Sequence, residues 1–294
     1  MADHPRPLAA LRILSFALNL PGPAALMRCR RMGATCVKLE PPAGDPMGHY
    51  NPAAYAELHE GVELLVADLK TDAGQSVLHT ELARTDVLLT SFRPSALAKL
   101  GLDWDTLHAR YPALSQVSIV GAAGALAEVP GHDLTYLAEH GLVPGTELPA
   151  TLFADMAGSL MASEAMVQAA LLKAQRSGGA TVAGHCFEVA LADAAGYLAL
   201  PRHWGLTQPA GAVGGAHAGY RVYPCKDGRV AVAALEPHFA ARLCEAAGLE
   251  RSDMATLLQP ATRETIAGFF ASRTCAQLEQ LATERDLPLH TMAA

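Results

Sequence analysis

The 294 residues carry a net charge of −7; 51% of them are hydrophobic and only 17% are charged. That balance describes a well-buried globular chain and excludes intrinsic disorder, and the acidic total leaves a nucleic-acid partner no basic footprint. The six cysteines form no C-x-x-C pair and read as reduced thiols of an intracellular protein.

The apolar run near the start breaks at Pro21 and Pro23. It is too short to span a bilayer and lacks a signal-peptide cleavage pattern, so it reads as a first buried strand, Leu11 to Ala17, of a cytoplasmic protein with no membrane partner. Pro21-Gly22-Pro23 opens a helix through Met32, Gly33 stops it, and Thr35 to Leu39 reads as a second strand. Val62 to Ala67 follows, and Thr71 caps a helix reaching about Arg84. Asp86 to Leu89 and Leu114 to Val120 are further buried strands. Continuous apolar strands separated by helices predict a doubly wound, mostly parallel α/β sheet covered on both faces.

Asp155 to Arg176 reads as one long helix ended by Ser177-Gly178-Gly179, followed by a strand through Phe187 and Val189 and a helix to about His203. The Gly- and Ala-rich stretch 208–219 reads as a linker or loop. Beyond it, Tyr220 to Tyr223 and Arg229 to Ala234 flank Lys226-Asp227-Gly228 as a hairpin, and three helical patterns follow: Pro237 to Ala247, Thr262 to Ser272 and Cys275 to Arg285. The expected organisation is a large domain over 1–207, a linker over 208–219 and a small α+β domain over 220–294.

No spacing of His, Cys, Asp or Glu marks a metal site, no G-x-G-x-x-G follows the first strand, and no G-x-S-x-G elbow is present. What remains is a set of polar residues at element ends. His132, in Gly131-His132-Asp133, precedes a helical run starting near Leu134, where the helix dipole disfavours its charged form and Asp133 is placed to orient the ring. Asp155 opens the long helix, where N–H groups stabilise a carboxylate. The bland readings are a loop histidine and a helix cap. Arg93 lies just after a predicted strand and Lys38 at the end of one, the end at which doubly wound sheets bind ligands and where cations suit phosphates; solvated surface charge is the alternative. Glu236, before Pro237, reads as a helix-start carboxylate.

At these residues the chain resembles the family III CoA-transferases (CaiB/BaiF), which include α-methylacyl-CoA racemase. The resemblance rests on Pro21-Gly22-Pro23, Val37-Lys38-Leu39-Glu40-Pro41-Pro42-Ala43-Gly44-Asp45-Pro46, Ala67-Asp68-Leu69-Lys70, Ser91-Phe92-Arg93-Pro94, Leu100-Gly101-Leu102, Gly131-His132-Asp133 with Tyr136, and Ala154-Asp155-Met156-Ala157-Gly158, in family order. It implies the family fold, coenzyme A as part of the substrate with no permanently bound cofactor, an acyl-CoA partner and a homodimer. It implies catalytic roles for His132, Asp155 and Glu236, the last because Ala234-Leu235-Glu236-Pro237-His238-Phe239 is similar to a racemase motif, and CoA contacts for Lys38, Arg93, Asp133 and Tyr136.

On that basis the chain is expected to epimerise the α-carbon of 2-methylacyl-CoA thioesters by two-base proton transfer through an enolate, with N–H groups at the Asp155 helix start stabilising the enolate oxygen. The alternatives are a CoA-transferase working through an aspartyl intermediate on Asp155, and a catalytically degenerate member with a binding or scaffolding role. Three departures from the family pattern bear on this. His59-Glu60-Gly61-Val62-Glu63 replaces a basic stretch, Gly121-Ala122-Ala123-Gly124-Ala125 replaces a G-Q-T-G-P turn, and the loop before Asp155 is short. The sequence is also expected to lack the family's C-terminal return segment, stopping at Ala294.

Overall fold

The computed structural model describes residues 5–175 and 183–294. The chain divides into two compact units, 1–199 and 200–294, each described by itself. In chain order the first unit holds β1 (Arg12–Ser15), α1 (Pro21–Arg31), β2 (Thr35–Glu40), α2 (Pro46–Tyr50), α3 (Pro52–Leu58), β3 (Glu63–Val66) and α4 (Asp72–Leu82). It continues with β4 (Val87–Thr90), α5 (Pro94–Lys99), α6 (Trp104–Arg110), β5 (Ser115–Val120), α7 (Asp133–Glu139), α8 (Phe153–Ala174), β6 (Cys186–Ala190) and α9 (Leu191–Leu198).

The six strands pair in parallel in the order β3-β2-β1-β4-β5-β6. Alternate strand residues point to opposite faces. Ile13, Cys36, Leu89, Val117 and Ile119 bury against Ala25, Leu26 and Cys29 of α1 and Ala162, Ala165 and Met166 of α8. Leu14, Val37, Leu39 and Leu88 bury on the other side with Leu78, Leu82, Leu97 and Leu107. Both faces of the central strands are therefore covered, as continuous apolar strands require, while the edge strand β3 leaves Leu64 and Val66 exposed. Strand order reverses between β1 and β4, and in such sheets the crevice at that switch point, outside the strands' carboxyl ends, is where ligands bind. The predicted end of the long helix at 176–179 lies outside the described residues. Among the described residues, no helix is long and apolar enough to cross a membrane.

The second unit holds α10 (Leu200–His203), a hairpin of β7 (Tyr220–Cys225) and β8 (Gly228–Ala233), then α11 (Pro237–Ala246), α12 (Met254–Leu257), α13 (Pro260–Ala271), α14 (Cys275–Arg285) and β9 (Leu289–Ala293). Its antiparallel sheet runs β7-β8-β9 and packs Tyr223, Val230 and Val232 onto Leu243, Ile266, Phe270 and Leu278. Within the stretch 208–219, His217 and Ala218 are fully buried, and the Tyr223 hydroxyl donates to the Ala218 carbonyl at 2.7 Å. The end of that stretch is tied to the second unit.

Lys38 departs most from expectation. It sits on β2 with its side chain fully buried, its ammonium 2.5 Å from Asp45 Oδ2, 3.1 Å from Glu40 Oε1 and 2.8 Å from His59 Nε2. His59 Nδ1 faces the Tyr55 carbonyl at 2.7 Å, which fixes the neutral tautomer that donates there and accepts from Lys38. Burial and the Lys38 charge hold the His59 ring below its ordinary value. A lysine so enclosed cannot reach a phosphate. Its loss strands two carboxylates in the interior, so Lys38→Met is expected to lower unfolding stability by about 3–5 kcal/mol. Urea denaturation checks this, and an unchanged midpoint would show the cluster to be solvated.

Candidate active site

A cleft of about 680 Å³ opens in the first unit, lined by residues following the ends of β1, β4 and β5: Leu18 to Pro21, Ser91 to Arg93, and Val120 with Gly121. It is the switch-point crevice. Gly131, His132, Tyr136 and Asp155 line it from the starts of α7 and α8, and Tyr50 from the end of α2.

His132 is the N-cap residue of α7, in extended conformation, and its side chain is exposed. The turn beneath it is closed by Thr135, whose hydroxyl donates to the His132 carbonyl at 2.7 Å and accepts from its N–H at 3.0 Å. Backbone bonding thus fixes where the ring leaves the chain. Tyr136, one turn on, is buried with its hydroxyl against Gly121 and Gly131. A Cβ at either glycine would lie 2.2 or 2.5 Å from that oxygen, so the glycine of Gly131-His132-Asp133 is a steric requirement. Burial and the Asp155 charge push the Tyr136 hydroxyl above its ordinary value, keeping it a proton donor.

Asp155 is the third residue of α8, not its cap. Its backbone N–H donates to Asp133 Oδ1 at 3.0 Å, so Asp133 serves the start of α8 from the start of α7. This corrects two expectations. Asp133 is buried and is not among the described residues lining the cleft, and the bond its carboxylate shows is to the Asp155 N–H rather than to the imidazole. Two N–H groups at the start of α8 are also already engaged, Asp155 by Asp133 and Phe153 by the Thr151 carbonyl.

The helix start was expected to hold the Asp155 carboxylate in its charged form. Instead burial, followed by the neighbouring Asp133 charge, pushes it up to about 6, against a smaller lowering by His132. Desolvation and a like charge outweigh the dipole. The site thus holds a carboxyl that changes protonation in the range where imidazoles do.

Arg93 caps no bond of its own helix, is exposed, and is the one Lys or Arg among the described residues lining the cleft. Lys38 does not line it. It acts at one remove: Asp45, which it holds, accepts from the N–H groups of Asn19 at 3.1 Å and Met47 at 2.9 Å. Asn19 has a left-handed φ of 62°, an uncommon state for a residue with a side chain, and it lines the cleft. Glu236 belongs to the second unit, where it is the exposed N-cap residue of α11 and makes no side-chain cap bond. Tyr50 and Asn19 are cleft residues that sequence reading missed. Asp155 and Asp45 both raise the Tyr50 hydroxyl after burial does, which places that phenol within electrostatic reach of Asp155.

A family model described as CoA-transferase family III matches residues 8–293. The cinnamoyl-CoA:phenyllactate CoA-transferase of Clostridium sporogenes is 32% identical over 159 residues, 50% of this chain and 39% of that protein. The alpha-methylacyl-CoA racemase of Mus musculus is 30% identical over 291 residues, 93% of this chain and 74% of that protein. The crystal structure of Rv3272 from Mycobacterium tuberculosis superposes with a TM-score of 0.82 at 23% identity, covering 99% of this chain and 84% of that one, a likeness of fold.

Proposed function

The chain belongs to CoA-transferase family III, and from that premise we propose that it epimerises the α-carbon of a 2-methylacyl-CoA in the cleft holding His132 and Asp155. The observation carrying this reading is that an imidazole and a carboxyl, supplied by the starts of two different helices, line one crevice. The thioester carbonyl acidifies the neighbouring C–H. One of the two groups takes that proton, and the C–H electron pair passes into the carbonyl as an enolate. The other group returns a proton to the opposite face, and the exchanged protonation states reverse in the next turnover. Because burial lifts Asp155 to about 6, the carboxyl is available both ionised and protonated near neutral pH, as a group that takes a proton in one direction and gives one in the other must be. The Tyr136 hydroxyl and the Arg93 charge are the groups assigned to the enolate oxygen and the CoA phosphates. Glu236 is assigned a supporting role, and a homodimer is the proposed assembly.

A second reading rests on the same carboxylate and is supported by the CoA-transferases among the relatives. Ionised Asp155 attacks the thioester carbonyl, the C–S bond breaks and CoA leaves as thiolate. The resulting anhydride is opened by CoA, which releases the first acid and leaves an aspartyl thioester, and the acceptor carboxylate then takes the CoA through a second anhydride.

Incubation with a 2-methylacyl-CoA in deuterium oxide separates the two. Epimerisation is expected to bring deuterium into the α-position, read by mass spectrometry. Absence of exchange, together with an acyl or CoA adduct on the peptide containing Asp155, would replace the first reading by the second. Failure to bind CoA or acetyl-CoA in calorimetric titration would end both.

A further inference from the structure

Cys225 and Cys275 are 50 residues apart in sequence, yet their sulfurs lie 3.6 Å from each other in the second unit. Cys225 ends β7 and Cys275 opens α14. Between them the turn of the hairpin presents Asp227, whose Oδ1 accepts from the Cys275 N–H at 2.7 Å and lies 3.9 Å from Cys225 Sγ. One donor atom from each of the three side chains falls within 4.8 Å of the others. Both cysteines are half-buried and Asp227 is exposed, so the cluster opens to solvent. Space for the Cys275 sulfur exists because residue 228 is glycine; a Cβ there would sit 3.1 Å from it.

We infer that Cys225, Asp227 and Cys275 form a binding site for a borderline-soft divalent metal ion of the zinc class, independent of the acyl-CoA cleft. The geometry is that of a metal site before the metal. Zinc–sulfur bonds of about 2.3 Å in a tetrahedron set the two sulfurs about 3.8 Å apart, close to the separation already present. Two sulfurs and one carboxylate oxygen fill three positions and leave the fourth to water. The donor set matches a metal that takes both thiolate and oxygen ligands and does not match magnesium or calcium.

The bond from the Cys275 N–H fixes the Asp227 carboxylate beside both sulfurs. A divalent cation draws both thiols to thiolates, with their two protons released to solvent. The bound ion would staple the β7–β8 turn to the start of α14.

The test uses the full chain, reduced and stripped with chelator under anaerobic conditions, and titrated with zinc and with cobalt(II) as a spectroscopic substitute. One equivalent is expected to bind, with a thiolate-to-cobalt charge-transfer band and intense tetrahedral d–d bands. Asp227→Asn keeps the acceptor for the Cys275 N–H, so the helix start is preserved, and is expected to weaken binding at least tenfold. Cys225→Ser and Cys275→Ser, checked for folding by circular dichroism, should abolish the charge-transfer band. A reduced chain that takes up no metal overturns the site, whether or not the two sulfurs oxidise to a disulfide in air. So does a cobalt spectrum left unchanged by the Asp227 and cysteine variants.

Discussion

Asp155→Asn is expected to lower epimerisation of a 2-methylacyl-CoA by about 10³-fold or more, since it removes a group that must both take and give a proton. The same change is expected to make the protein more stable at neutral pH. The sign follows from the raised carboxyl. Its folded value of about 6 lies above its ordinary 3.8, so the native state favours the protonated acid. Above pH 6 the ionised form is a cost, produced by burial and by the Asp133 charge beside it; below about pH 4 that cost is gone. An amide carries no charge at any of these values. Discounted for the solvent that reaches the cleft, the gain is about 1 kcal/mol at pH 7.5, or roughly 2–4 °C in melting temperature, shrinking to nothing near pH 4. Thermal unfolding at the two pH values reads this directly. A melting point that falls equally at both would mean that Asp155 packs rather than strains the site. In the unmodified protein the same carboxyl sets an acid limb near pH 6 in the rate profile.

What the residues alone disclosed, and what they hid, follows from the range of the interactions. The strands of the large sheet were legible because continuous runs such as Val87-Leu88-Leu89 are buried on both faces and leave little alternative. The last strand, β9, was not: Leu-His-Thr-Met-Ala has no strand pattern, and it is extended because it pairs with β8 from Val232↔Leu289 onward. His132 and Asp155 stood out at element ends, but position alone left them a loop histidine and a helix cap; their proposed roles came from the resemblance to the family. Their neighbours misled. Asp133 follows His132 directly, but adjacent residues at a helix start point apart, and its partner proved to be a backbone N–H 22 residues later. For Lys38, position at the end of a strand indicated a cation at the ligand end, but a sequence does not show which way a strand side chain turns. Lys38 and Glu40 share a face, and the loop returns Asp45 to meet them. Tyr50 was invisible because α2 is a single short helix begun by Pro46, with no apolar period to place its last residue at the cleft.

His132→Ala carries the most specific expectation for a pair of bases. Epimerisation should fall by roughly 10²–10⁴-fold in both directions, because each direction needs one group to take the proton and the other to replace it. Deuterium exchange without inversion should behave differently. Asp155 remains able to remove the proton from the epimer that presents its C–H to the carboxyl, and to return a solvent deuteron to the same face. Exchange should therefore persist for one epimer and vanish for the other. In Asp155→Asn, with the imidazole intact, the surviving epimer should be the opposite one. This mirror pattern does not depend on how tightly either variant binds substrate, since it compares two epimers on one protein. A purely structural histidine would reduce exchange for both epimers together. A transferase would keep forming its Asp155 adduct after His132→Ala. Equal loss of exchange with the two epimers in either variant would therefore sink the two-base assignment, while leaving the cleft and its carboxyl to a different reaction.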